Sequence, residues 1–168
     1  MEKIGSNRVS LAGEFAVLSR LALENFDANL TLGNTKGVDI LVSSPKGRLA
    51  RLEVKTNFGK GNRGGSRELF GEYVFSWMMS QKHESLFDPD LFYCFVNISS
   101  DKKRTRCFIV PSKDVAKYVK AQHKLWLRAK STRSRTSKMR TFRIGPKGSY
   151  KVAPPSIEKH EDKWDLLK

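Results

Sequence analysis

Three charged residues near the middle of the chain have the types and spacing to act on a phosphodiester. Glu53 and Lys55 stand in the run RLEVKTN, residues 51–57, and Asp39 stands in VDILV, residues 38–42. Both runs read as strands, and PKG at 45–47 between them reads as a tight hairpin loop. With the hairpin centred on Lys46, Val42 faces Ala50, Ile40 faces Leu52 and Val38 faces Val54. That face is apolar throughout. The other face sets Ser43 against Leu49, Leu41 against Arg51 and Asp39 against Glu53. A slip of one residue would mix the two faces, so the pattern fixes the register.

Two carboxylates opposed in this way have Cβ atoms about 5 Å apart, and their like charges repel. A divalent cation removes the conflict. One or two carboxylates, completed by water and phosphate oxygens, are what magnesium prefers. Lys55 follows Glu53 by two residues and so lies on the same face. Its ammonium can stabilise charge on a phosphate and orient or deprotonate the attacking water. The set suits metal-assisted phosphodiester hydrolysis. The plainer reading is a surface ion pair of Lys55 with either acid, which contributes little. Glu-x-Lys triplets are common. The opposed aspartate, the apolar register and the charge of the whole chain favour the catalytic reading.

The elements that must hold these residues are legible on both sides. SLAGEFAVLSRLALENF, residues 10–26, reads as a helix with Leu11, Leu18 and Leu21 at helical spacing. Glu14 falls on that side. Either its carboxylate meets a partner at the core margin, because a lone buried acid is costly, or it escapes to water at the rim. ANLTLG at 28–33 is a short strand, and NTKG after it is a turn. The segment YVFSWMMSQKHESLF, 73–87, begins as a strand and is expected to become a helix near Ser76. DLFYCFVNI, 90–98, suits a strand buried on both faces. RCFIV at 106–110 pairs with it through the polar turn SSDKKR.

The chain has 32 Lys and Arg against 17 Asp and Glu, a net charge of +15 that calls for a polyanionic partner, nucleic acid ahead of a membrane. Much of that charge lies outside the acidic hairpin. PSKDVAKYVKAQHKLWLRA, 111–129, reads as a helix with Ser112 as its N-cap. Lys113, Lys117, Lys120, Lys124 and Arg128 form a basic stripe on it, with Val115, Val119 and Trp126 on another face. Such a stripe is either an ordinary solvated face or a row of phosphate contacts, and the lack of acids within it favours phosphate. The glycine-rich loop 59–67 carries Arg63 and lacks the spacing of a Walker loop. Arg133 and Arg135 stand in a Ser/Thr-rich basic stretch, 130–148, in which MRTFRI forms a strand. The glycine-rich loop is either a mobile connection or a basic loop that orders on nucleic acid, and the rest of 130–148 reads as a loop that orders on DNA.

The remaining signals bound the class. The length of 168 residues suits a single domain, with 39% hydrophobic residues to fill its core. Cys94 and Cys107 lie in apolar runs and read as core, not as zinc ligands; His83, His123 and His160 are scattered and read as solvated or structural. The N-terminal ten residues lack a signal-peptide apolar core, and the longest apolar run is too short for a bilayer. A cytoplasmic, DNA-associated protein without membrane contact is expected. Trp164 and Leu166 are expected to pin the tail to the body.

At GEFAVLSRLAL (13–23), GVDILV (37–42) and LEVKT (52–56), the chain resembles the PD-(D/E)XK nuclease superfamily, in particular the branch that includes Holliday junction resolvases and small restriction or homing enzymes. The resemblance covers residues 10–98, and Val38 stands where the motif's proline would be. It implies a restriction-endonuclease-like α/β fold: a mixed central sheet flanked by helices, with an α-β-β-β-α-β core. It implies that Asp39 and Glu53 bind Mg2+, for which Mn2+ substitutes, with the backbone carbonyl of Val54. Lys55 becomes the catalytic lysine, Glu14 an auxiliary ligand or water-positioning acid, and Gln81 a polar residue near the site, on the helix after the Glu-x-Lys strand. Residues 99–151 form a basic DNA-binding elaboration and 152–168 a tail.

The expected protein is therefore a magnesium-dependent endodeoxyribonuclease that cuts double-stranded DNA to leave 5′-phosphates, at a fixed sequence, as a homodimer. Four other readings stand beside it. They are a junction or repair nuclease, a non-catalytic nucleic-acid-binding module, an RNA-directed protein and a structural subunit of a nucleoprotein complex.

Overall fold

The hairpin forms in the register that its apolar pattern demands. In the computed structural model, which describes residues 4–31, 37–59, 67–71, 75–129, 136–148 and 150–168, Ile40 pairs with Leu52, Leu41 with Arg51, Val42 with Ala50 and Ser43 with Leu49. Its turn is closed by the Ser44 N–H on the Arg48 carbonyl and the Gly47 N–H on the Ser44 carbonyl, both at 2.8 Å. Gly47 takes φ of +82°, a left-handed conformation that glycine adopts without steric cost.

Along the chain the elements are α1 (Ser6–Leu23), β1 (Asp27–Leu30), β2 (Ile40–Ser43), β3 (Leu49–Phe58), α2 (Arg67–Phe70), β4 (Phe75–Ser80), a 3-10 helix (Gln81–Glu84), β5 (Leu91–Ile98), β6 (Thr105–Pro111), α3 (Ser112–Ala129), β7 (Met139–Ile144), α4 (Ile157–His160) and a final 3-10 turn (Trp164–Leu167). They form two units. The first draws on residues 1–60, 89–111 and 161–168, the second on 61–88 and 112–160. The division expected between residues 98 and 99 falls inside the β5–β6 hairpin of the first unit.

The first unit is built on a five-stranded sheet of order β1-β2-β3-β5-β6. β3 and β5 run parallel, and the other neighbours are antiparallel. Helix α1 packs on β3 and β1. One face of the sheet carries Ile40, Val42, Leu52, Val54, Phe92, Cys94, Val96 and Ile109 into a common core with Val17 and Leu21 of α1. Truncating a fully buried leucine such as Leu52 to alanine would cost roughly 2–5 kcal/mol. β5 is buried from Leu91 to Asn97, as its unbroken apolar run requires.

Two details of this unit differ from the sequence reading. The buried stripe of α1 is Gly13, Val17 and Leu21, whereas Leu11 is exposed. Helix position is decided by how closely its backbone approaches the sheet, and the glycine lets that side in. At the tail, Trp164 and Leu167 enter the core, whereas Leu166 is 36% exposed. The tail is held as well by a two-bond Arg106–Glu161 pair, at 2.5 and 2.7 Å.

The second unit contains α3 and an antiparallel ribbon of β4 and β7. Val115 and Val119 of α3 are fully buried, and Tyr118 meets Phe142 of β7 edge-on at 5.6 Å. The helix expected to start near Ser76 is a strand through Ser80, followed by a single 3-10 turn. Alternation explains it: Phe75, Trp77 and Met79 point inward and Met78 outward, a period of two. Ser112 does not act through a side-chain cap. It clasps Asp88, donating to its carbonyl and accepting from its N–H at 2.9 Å each. His83 and His123 are buried, so both are structural. Both cysteines are buried and unbridged; burial, then the neighbouring Cys107, pushes the Cys94 thiol well up, which keeps it inert.

Candidate active site

The candidate site lies at the mouth of the hairpin, where β2 begins opposite the middle of β3. The ladder of paired residues ends at Ile40 and Leu52. One residue further out, the Asp39 N–H donates to the Leu52 carbonyl at 2.8 Å, while the Asp39 carbonyl accepts the Thr31 N–H at 2.9 Å. The Asp39 side chain then turns onto β3. Its Oδ2 accepts the Val54 N–H at 2.7 Å. Asp39 is therefore not a simple ladder partner of Glu53, as the regular register had it. Extending that register would oppose two like charges. The carboxylate instead takes a backbone N–H from the residue between Glu53 and Lys55. Such a charge-assisted bond stabilises the ionised form.

Glu53 and Lys55 project from the sheet face opposite the core. Glu53 is only 2% exposed. A carboxylate at that depth is tolerated when it is paired, and Lys55 Nζ lies 2.6 Å from Glu53 Oε1. The segment leading into Asp39 borders the same group. Gly37 has φ of +77°, and a Cβ placed there would lie 3.5 Å from Glu53 Oε2. Glycine is thus suited both to the turn and to the approach.

Helix α1 brings the third acid. A Cβ on Gly13 would fall 1.9 Å from Thr56 Oγ1, so the glycine is what lets α1 lie directly against β3. The next residue is Glu14, half-buried at the helix margin. Burial raises its carboxyl above the usual value, Asp39 raises it further and Lys55 offsets part of the rise. Glu14, Asp39 and Lys55 therefore share one electrostatic neighbourhood. Glu14 is half-buried, and its carboxyl feels the charges of Asp39 and Lys55.

Sequence reasoning missed two contributors. Tyr93 of β5 is paired across the parallel ladder with Glu53 and is fully buried. Burial, then the Glu53 charge, holds its phenol well above the ordinary tyrosine range. Tyr93 also stacks on Phe95, the partner of Lys55, with ring centres 5.7 Å apart. Tyr93 had no signal beyond its place in an apolar run. Gly13 carried one that only the packed structure makes readable: a glycine in mid-helix beside an acid.

The arrangement can hold a small hard cation. Among the described residues no three Asp, Glu, His or Cys side chains form a metal-holding group. Magnesium does not need an all-protein cage. Two acids, Asp39 and Glu53, bracket the backbone of Val54, and a third acid is near them. Lys55 pairs with Glu53 and offsets part of the repulsion between Asp39 and Glu14.

The other expected residues lie in the second unit or outside the described residues. Gln81 begins the 3-10 turn after β4, not a helix, and its N–H donates to the Lys138 carbonyl at 2.8 Å. Lys113, Lys117, Lys120, Lys124 and Arg128 are all exposed on α3, so the basic stripe exists as read. Arg63, Arg133 and Arg135 lie outside the described residues.

The fold is similar to that of a solved bacterial homing endonuclease, I-Ssp6803I, with a TM-score of 0.52, 10% sequence identity, and coverage of 98% of this chain and 92% of that one. At that identity the likeness is one of fold. No family model matches the sequence, and no curated protein matches it either.

Proposed function

We propose that the protein is a magnesium-dependent DNA endonuclease of the PD-(D/E)XK type, with Asp39, Glu53 and Lys55 as its catalytic core. The observation that carries this reading is the bond from the Val54 N–H to Asp39 Oδ2. It brings the aspartate to the residue flanked by Glu53 and Lys55. The likeness of fold to a homing endonuclease supports a nuclease, and the net charge of +15 supports a nucleic-acid substrate.

Asp39, Glu53 and the Val54 carbonyl would hold the ion. Magnesium, when bound, supplies Lewis-acid stabilisation of phosphate charge and acidifies water. The chain's own groups do the rest. Lys55, held by Glu53, presents an ammonium to a phosphate oxygen or to the incoming water, where it stabilises charge developing in the transition state. Glu14, whose carboxyl burial and Asp39 raise above its ordinary value, positions that water or takes up its proton. Tyr93, beside Glu53 across the ladder, keeps its proton. Gln81 is a further polar group for the substrate. The basic stripe of α3 supplies phosphate contacts. A homodimer suits a duplex cut on both strands.

The test is cleavage of end-labelled linear duplex, four-way junction and RNA by the full chain, in magnesium and in EDTA. Magnesium-dependent cutting of the linear duplex to 5′-phosphate ends supports the reading. Cutting confined to the junction moves the protein to structure-specific repair, and cutting of RNA alone overturns the assignment.

A further inference from the structure

The β4–β7 ribbon has an outer face that the core does not use. Along it, Met78 pairs with Thr141 and Ser80 with Met139. Met78 is 69% exposed and Met139 58%, although methionine is a core residue by chemistry. The ribbon is firmly backed, because Trp77, Met79, Phe142 and Ile144 on its inner face are buried. One end of the outer face is covered where Arg143 lies over the Phe70 ring at 4.3 Å. The other end is open. It leads to a cavity of about 540 Å³ lined by Ser80, Gln81, Lys82, Glu84, Lys120 and Lys138. The acid there, Glu84, is engaged with Arg140 at 2.5 Å, which leaves the lysines to set the sign of the rim.

We propose that this outer face enters the major groove of duplex DNA and reads bases, with the lysines at its open end on the flanking phosphates. The proposal rests on the nuclease reading and adds the element that would make cleavage sequence-specific. Three features favour DNA as the occupant. A two-stranded ribbon, with strands about 4.8 Å apart, fits a groove about 12 Å wide. The face combines the half-buried Thr141 hydroxyl, which can pair with a base edge, and the exposed Met78 and Met139, which can meet the thymine methyl. The rim is cationic, which suits a polyanion and opposes a second copy of the same surface. Gln81 gains a place here as well, on the wall of the phosphate cavity.

The test is selection from a randomised duplex library by the full chain in EDTA, so that binding is read without cleavage. Wild type is compared with Met78→Ala, Met139→Ala and Thr141→Val. Met78 and Met139 are exposed, and Thr141→Val keeps the shape of a half-buried side chain, so folding is spared. The expected result is a short motif recovered by wild type. In the variants, discrimination at adjacent base pairs should fall about 5- to 100-fold, with non-specific affinity and its salt slope unchanged. Lys82→Gln with Lys138→Gln should instead weaken binding to all sequences and lower the slope by about 2. An unchanged motif in the ribbon variants overturns the proposal. So does a variant that dissociates a dimer in sedimentation while keeping the motif, which would assign the face to a second copy. A wild type that cuts DNA with magnesium but recovers no motif overturns the ribbon's role alone. A wild type that neither binds nor cuts DNA overturns the nuclease reading too.

Discussion

Asp39 and Val54 are joined side chain to backbone: the Asp39 Oδ2 accepts the Val54 N–H at 2.7 Å. A carboxylate thus takes a bond that the strand ladder would otherwise make. It ties the mouth of the hairpin to the residue between Glu53 and Lys55. The same carboxylate repels Glu14 from across the site. Lys55 offsets part of that repulsion and pairs with Glu53 at 2.6 Å.

Glu53 should separate chemistry from binding. Glu53→Ala removes a proposed metal ligand and the partner of Lys55, and cleavage should fall at least ~10²–10³-fold. DNA affinity in EDTA should remain within a few-fold of wild type, since the α3 stripe is untouched. Binding by anisotropy beside cleavage rates checks this. Parallel loss of both would make Glu53 structural.

Glu14 predicts a pH signature. Its folded carboxyl lies above the ordinary 4.5, so the folded state binds that proton more tightly than the unfolded state. Its contribution favours folding below pH 4.5 and is lost as pH rises from 4.5 through the raised folded value. Glu14→Gln should lack that loss, so its Tm should gain on wild type across the window. Magnesium should raise the wild-type Tm most above it, where all three acids are charged. The same variant should slow magnesium-dependent cleavage. Thermal unfolding against pH, with and without magnesium, measures both effects.

Gly13 should tolerate no side chain. Gly13→Ala drives a methyl into Thr56, with Oγ1 at 1.9 Å and Cβ at 2.8 Å from it. Destabilisation of about 1–3 kcal/mol is expected, outweighing the helix propensity that alanine gains. Because α1 must shift, Glu14 moves too, and cleavage should fall even under conditions where the variant is fully folded. Urea unfolding and cleavage rates together check the pair of effects.

The exposed α3 lysines should set the salt dependence. Lys120→Glu with Lys124→Glu removes two phosphate contacts, so affinity should drop for every DNA sequence and the slope of log affinity against log salt should shrink by about 2. An unchanged slope would place the phosphate footprint elsewhere.

Much of this was legible in the sequence because the hairpin is amphipathic at a period of two. Val42, Ile40 and Leu52 had one workable register, and it fixed the strand positions of Glu53 and Lys55. β5 was legible for the opposite reason: its unbroken apolar run leaves no polar face. What escaped depends on tertiary approach. Leu11 and Val17 are equally apolar in the sequence, and only the contact of Gly13 with Thr56 decides which side of α1 is buried. The turn of Asp39 onto Val54 is a local electrostatic choice that the residue pattern does not encode. The strand at Ser76–Ser80 was obscured by Met and Gln, good helix formers, although its alternation was present. Tyr93 needed the β3–β5 parallel register, which joins segments far apart in the chain.

The most direct test of the central claim is nicking of supercoiled plasmid by wild type and Asp39→Ala, each with magnesium and with EDTA. Wild type is expected to cut only with magnesium, and Asp39→Ala to fail to cut while still binding DNA with the wild-type salt slope. Cutting by Asp39→Ala at the wild-type rate, or wild-type cutting that persists in EDTA, would contradict it.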